Sequence, residues 1–220
     1  MKKSSLTKSI ALIFLISFVC VKVQAQNIEY GYSAIKTESG ILLVHNDKDY
    51  SLTLEVKAKE INPIESQNMM FSADGQVLQV LRVENSKFIK PNADAKTSPT
   101  DKDILQAHKI WESDYLNEVL KVDSKAKPEI KFEFVTVNGD RTALYWEYPM
   151  PASYTEVSKQ LFLSTVVGQK VLIIGAPIKI GATRQDVKDI MLKLISTLKI
   201  SKTPYDVNVL AEEIRKGKKP

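Results

Sequence analysis

From Val187 onward, apolar side chains recur at helical spacing. Val187, Ile190, Met191, Leu194, Ile195 and Leu198 fall at i, +3, +4, +7, +8 and +11. That draws one broad apolar stripe down a 3.6-residue helix. Lys188, Asp189 and Lys193 lie off the stripe. Thr183, with Asp186 three residues on, has the spacing of a capping box, and an acid there suits the positive end of the helix dipole. The pattern recurs earlier. Thr100 and Asp103 repeat the cap, and Ile104, Ala107, His108, Trp111, Tyr115 and Val119 share a face. A helix is predicted from Thr100 to about Lys121, where "DSKAKPE" breaks it.

Elsewhere the period is two, the mark of strands. In "IKFEFVTVNGDRTALYWEYPMP", Ile130, Phe132 and Phe134 alternate outward and Leu144, Trp146 and Tyr148 return. Asn138-Gly139 between them signals a type I′ hairpin turn. Tyr145 and Trp146 point to opposite faces and are not both expected in one core: one of them meets a cleft or solvent, or packs under a helix or loop. "SKQLFLSTVVGQKVLIIGAPI" reads as a second hairpin turning near Gly168. Its return strand, Val171 to Ile174, is apolar on both faces, as in a strand covered on both sides. Ser164, between Leu163 and Thr165, reads as sheet surface. Upstream, "GILLVHN" is expected to pair with "YSLTLEVKA" across Asn46-Asp47-Lys48, with Leu52, Leu54, Val56 and Ala58 inward. "GQVLQVLRVE" is a further strand, entered through Asp74-Gly75.

Strands, a helix, two hairpins and a capped helix describe an α+β single domain. Its antiparallel sheet is expected to be packed by two main helices, within residues 26–200. The segments "DKDILQAHKIWESDYLNEVL", "KFEFVTVNGDRTALYWEY", "QLFLSTVVGQKVLIIGA" and "TRQDVKDIMLKLISTL", in that order, resemble the Mog1/PsbP-like fold. The resemblance spans about Gly40 to Ile200. Members of that fold include a binder of a small GTPase and an extrinsic subunit of photosystem II. It implies a non-catalytic accessory or binding protein, and it carries over no site residue. Beyond Pro204, residues 201–220 form a basic C-terminal tail. Val207, Leu210, Ala211 and Ile214 give the tail a short amphipathic helix, which packs on its own domain, on a partner or on a membrane surface.

The start of the chain sets the compartment. Lys2, Lys3 and Lys8 precede an uncharged run of 12 residues, Ile10 to Val21. A spanning helix needs about 20 apolar residues, whereas a secretory signal needs only about 7–15. Val23 and Ala25 fit the −3 and −1 positions of a cut before Gln26. Residues 1–25 therefore read as a signal peptide, and the product as exported, periplasmic or extracellular. Cys20 does not meet the bacterial lipobox, because Val19 rather than a small residue precedes it. A lipid anchor on Cys20 is not expected.

Removal of the signal changes the charge. The whole chain has 31 Lys+Arg against 26 Asp+Glu, but four of the lysines and none of the acids lie in residues 1–25. The remainder is nearly neutral, so global charge gives no argument for a nucleic-acid partner. No later run is long enough to span a membrane. Cys20 is also the sole cysteine, so the mature chain has no disulfide, no thiolate nucleophile and no Cys-ligated metal.

No catalytic, cofactor-binding or metal-ligating set is expected. The two histidines, His45 and His108, are far apart and lack zinc-site spacing. "NDKDY" lacks the glycine and bidentate glutamate of a calcium loop. "GAPIKIGATRQD" matches no phosphate-loop pattern. His108, beside Trp111 on an apolar helix face, reads as a core residue with a hydrogen bond, or as a general base. No G-x-S-x-G elbow presents a nucleophile to it. The functional expectation is a non-catalytic binding or accessory protein of the bacterial envelope, with a possible protein partner. The alternatives are a small-ligand binder using a groove between sheet and helix, lined by Trp146 or Trp111, and a periplasmic hydrolase using His108.

Overall fold

The computed structural model describes residues 31–65, 69–90, 97–123, 127–179 and 182–218. The expected signal peptide, its cut at Ala25–Gln26 and Cys20 lie outside them. Among the described residues, eleven strands and three α-helices form. The strands are β1 (Gly31–Thr37), β2 (Gly40–Asn46), β3 (Ser51–Lys57), β4 (Ile61–Glu65), β5 (Met70–Ala73) and β6 (Gln76–Glu84). They continue as β7 (Lys131–Val137), β8 (Arg141–Pro149), β9 (Val157–Val167), β10 (Lys170–Lys179) and β11 (Lys199–Ser201). The helices are α1 (Asp101–Val119), α2 (Arg184–Ser196) and α3 (Val207–Arg215).

Each of these three α-helices starts on a side chain that its sequence supplies. Thr100 and Asp103 close a reciprocal capping box at α1. The Thr183 hydroxyl accepts from the Asp186 N–H at α2, and Asp206 accepts from the Asn208 and Val209 N–H groups at α3. Such caps satisfy donors that the first helical turn leaves unpaired. The hairpins follow their turn residues in the same way. Asp74 and Gly75 both take positive φ between β5 and β6, as a type I′ turn requires. Gly168 takes φ of 60° in the two-residue turn between β9 and β10. Asn138 and Gly139 also take positive φ. Their loop is one residue longer than the expected two-residue turn, because Val137 pairs with Arg141. The register that sets Phe134 opposite Leu144 and Phe132 opposite Trp146 leaves Asp140 in the loop.

The strands make two antiparallel sheets, ordered β1-β2-β3-β11 and β4-β5-β6-β10-β9-β8-β7. Leu43, Leu52, Leu54 and Val56 of the small sheet meet Phe71, Leu78, Tyr145, Leu163 and Leu172 of the large one. Met191, Leu194 and Ile195 of α2 join this core, so α2 is wedged between the sheets. Helix α1 covers the other face of the large sheet through Leu105 and Leu116, against Trp146, Phe162 and Val171. Helix α3 covers the outer face of the small sheet. Its Val207, Leu210, Ala211 and Ile214 pack on Ile35, Leu42 and Val44. The apolar stripe of the tail is thus spent inside the domain. Among the described residues, no helix is long and apolar enough to cross a membrane.

This layering decides one expectation and corrects another. Tyr145 and Trp146 are both buried, because the large sheet is covered on both faces: Tyr145 faces the small sheet and Trp146 faces α1. Ser164 is fully buried rather than on a surface, for the same reason. Burying side chains as large as these contributes about 1.5–3 kcal/mol each.

Candidate binding cleft

His108 is the residue that the sequence singles out most sharply. Its ring is buried, and neither ring nitrogen has a hydrogen-bond partner among the described residues. Phe88 meets it edge-on at 5.3 Å between centroids, and Trp111 lies 6.1 Å away. Burial pushes its pKa down to about 3, so the imidazole is neutral at ordinary pH. Among the described residues neither nitrogen hydrogen-bonds a hydroxyl or a carboxylate. One turn on, Glu112 is also buried, and burial pushes its pKa up to about 7. The groove expected between sheet and helix is closed, since Trp146 stacks on Phe162 at 4.1 Å beneath α1.

His45 is half-buried. It stacks on Tyr32 at 4.0 Å. Burial, with the neighbouring Arg82 charge, holds its pKa down at about 3. Among the described residues, no group of three His, Cys, Asp or Glu side chains gathers as a metal site would need.

An opening lies elsewhere, between the two sheets. Helix α2 fills their separation on the β11 side. On the β1 and β4 side no described element does so, and a cleft of about 1060 Å³ remains. Strand alternation decides what faces it. Ala34 pairs with Leu43 and Lys36 with Ile41, and Leu43 belongs to the core between the sheets. Tyr32, Ala34 and Lys36 therefore point inward from β1, yet Ala34 and Lys36 are exposed. An inward face that remains exposed is an uncovered one. From the opposite wall Ile61 and Pro63 pair with Ala73 and Phe71, which also face the core. Pro63 is tolerated because β4 is an edge strand, where a missing N–H breaks no ladder.

The floor is soft as well as apolar. Met69 lines the cleft with a φ of 45°, an uncommon backbone conformation for a side chain of its size. The carbonyl of Met69 accepts from the Val80 N–H at 3.2 Å, and its side chain joins the core between the sheets. These contacts fix the residue against the conformational cost. A methionine beside Phe71 gives a lining that adapts to shape.

The mouth is charged. Lys36, Lys57 and Lys59 stand there with Glu38, Glu60 and Asp74. Two of the acids are engaged in the rim itself. Asp74 accepts from the Glu60 backbone N–H at 2.9 Å, and Glu60 accepts from the Asn62 amide at 2.9 Å. Lys57 lies 3.7 Å from Glu55. Lys36 and Lys59 have no ion pair among the described residues.

Sequence reading assigned none of these residues a site. The Asp74-Gly75 turn was a signal for β5, since "MMFSA" precedes it as "VLQVL" follows. Nothing local, however, sets Lys36 and Phe71 across one opening. No protein-family model matches the chain, and no curated protein matches it.

Proposed function

We propose that this is an exported, non-catalytic binding protein, and that it holds a small molecule in the cleft between its two sheets. The observation that carries the reading is the uncovered inner face of β1. Ala34 and Lys36 occupy positions that alternation assigns to the core, and they remain exposed. Pockets for small molecules are largely preformed, mostly apolar, and about 300–1,000 Å³ in volume. This cleft, at about 1060 Å³, lies at the top of that range. Its floor is apolar, and polar groups stand only at its edge. His108 lies buried away from it, and His45 stands behind Tyr32 of its lining. The resemblance in element order to the Mog1/PsbP-like fold favours binding over catalysis, and the leader-like residues 1–25 favour export.

The test uses an environment-sensitive apolar fluorophore added to the purified protein. Saturable enhancement is expected, and it should be lost in Ala34→Trp, which places an indole in the opening. Enhancement that is absent, or equal in the variant, would contradict the reading.

A further inference from the structure

We infer that the ligand is a single-chain anionic amphiphile, a long-chain carboxylate in its simplest form. This rests on the reading of the cleft as a ligand site and adds the chemistry of the occupant. The tail is assigned by the walls. Leu43, Ile41, Phe71, Met69, Ile61 and Pro63 offer a largely apolar cleft between two sheets. A flexible chain fits such a space better than a rigid polar ring system, because methionine and aliphatic walls adapt to it.

The head is assigned by the mouth. Lys36 extends from the inner face of β1 and Lys59 belongs to the segment joining β3 to β4, and both line the opening. Neither meets a carboxylate within 4 Å among the described residues; of the three acids at the lip, Glu60 and Asp74 accept hydrogen bonds from the rim itself, and Glu38 stands exposed past the end of β1. Unpaired cations at the lip of a largely apolar cleft complement an anion attached to an apolar tail, and a charge-assisted contact there outweighs a neutral one. Long lysine stems also extend the apolar wall while leaving the ammonium in water.

The experiment is calorimetric titration of the delipidated protein with hexadecanoate and with hexadecanol, which share a tail and differ in the head. Three proteins are compared: wild type, the double variant Lys36→Gln/Lys59→Gln, and Ala34→Trp, each checked for folding by its thermal melt. Hexadecanoate is expected to bind wild type about tenfold or more tighter than hexadecanol, and the double variant to lose that preference. Ala34→Trp should weaken both. Equal affinities in wild type, with both lost in Ala34→Trp, would overturn the anionic assignment and leave the cleft standing. No binding of either compound, or binding unchanged by Ala34→Trp, would overturn the cleft as well. As a second readout, added salt should weaken hexadecanoate and spare hexadecanol.

Discussion

Arg82 on β6 places Nη1 3.1 Å from Oδ2 of Asp47 in the turn between β2 and β3, and the pair ties the large sheet to the small one. Arg82 is almost wholly buried, with 2% of its side chain exposed, and it also donates to the Tyr50 carbonyl at 3.1 Å. Lys170 on β10 bonds the same carboxylate and reaches Glu84 at 2.9 Å. Burial opposes the charge on Asp47, but the Lys170 hydrogen bond, the Lys48 N–H and the nearby cations outweigh it, so its pKa lies below the ordinary carboxylate value. This network holds the two sheets together.

Breaking that pair should be costly. Asp47→Ala leaves the Arg82 guanidinium buried without its counter-charge, and losing one member of a buried pair costs about 3–5 kcal/mol. Urea unfolding of the variant is expected to show a loss near the lower figure, because Asp47 is partly exposed. The lowered Asp47 pKa also makes the pair's contribution present above the unfolded value of about 3.9 and lost as pH falls through the folded value. A loss below about 1 kcal/mol, the range of a surface ion pair, would show that the network does not join the sheets.

Gly168 should resist substitution for two reasons. Its φ is positive, and a Cβ there would collide with the Tyr50 ring, which reaches across from the start of β3. Gly168→Ala is expected to lower stability by about 2 kcal/mol. In a Tyr50→Ala background only the backbone part should remain, so the double-mutant cycle should show a coupling of about 1 kcal/mol. Additive losses would mean that the ring moves aside freely.

Glu112 and the histidines give opposite pH slopes. The Glu112 pKa is raised by burial, from an ordinary 4.5 to about 7. Its contribution is thus fully present below the unfolded value and is lost as pH rises through 7. Glu112→Gln should remove that decline. The variant should be more stable than wild type at pH 8 by about 1–3 kcal/mol, and close to it at pH 4.5. Chemical denaturation at the two pH values checks this. A variant no better at pH 8 would mean that the buried carboxylate is paired when charged.

His45 and His108 act in acid, since both pKa values are depressed to about 3 from 6.5. The unfolded chain binds protons that the native state refuses, so stability falls as pH drops from about 6.5 toward 3. His108→Leu should flatten half of that limb. It should also stabilise the protein at pH 7 by about 1 kcal/mol, because two unpartnered ring nitrogens leave the core. Ligand binding should be unchanged. Loss of function in this variant at full stability would restore His108 as a working residue.

The local part of this fold was legible. Thr100 with Asp103 and Thr183 with Asp186 marked their helices, and Asp74-Gly75 and Gly168 marked turns, because capping and positive φ are decided within a few residues. Strands β1, β4, β5 and β11 were not read. Three of them, β1, β4 and β11, are edge strands; β4 carries Pro63, and β11 has three residues. The division into two sheets was also hidden. Alternation says that Tyr145 and Trp146 face opposite ways, but it does not say that each way leads to cover. The cleft was illegible for the same reason, since it exists only where residues on β1 and β5 are brought opposite each other by the strands between.

Amide NMR shifts on titration with hexadecanoate test the cleft most directly. The expected result is a set of saturable shifts confined to Ala34–Ile41, Lys57–Ile61 and Met69–Phe71, on both walls of one opening. Shifts centred on α1 and His108, or on the exposed Phe132 of the β7 edge, would place the ligand elsewhere and contradict the cleft as the site.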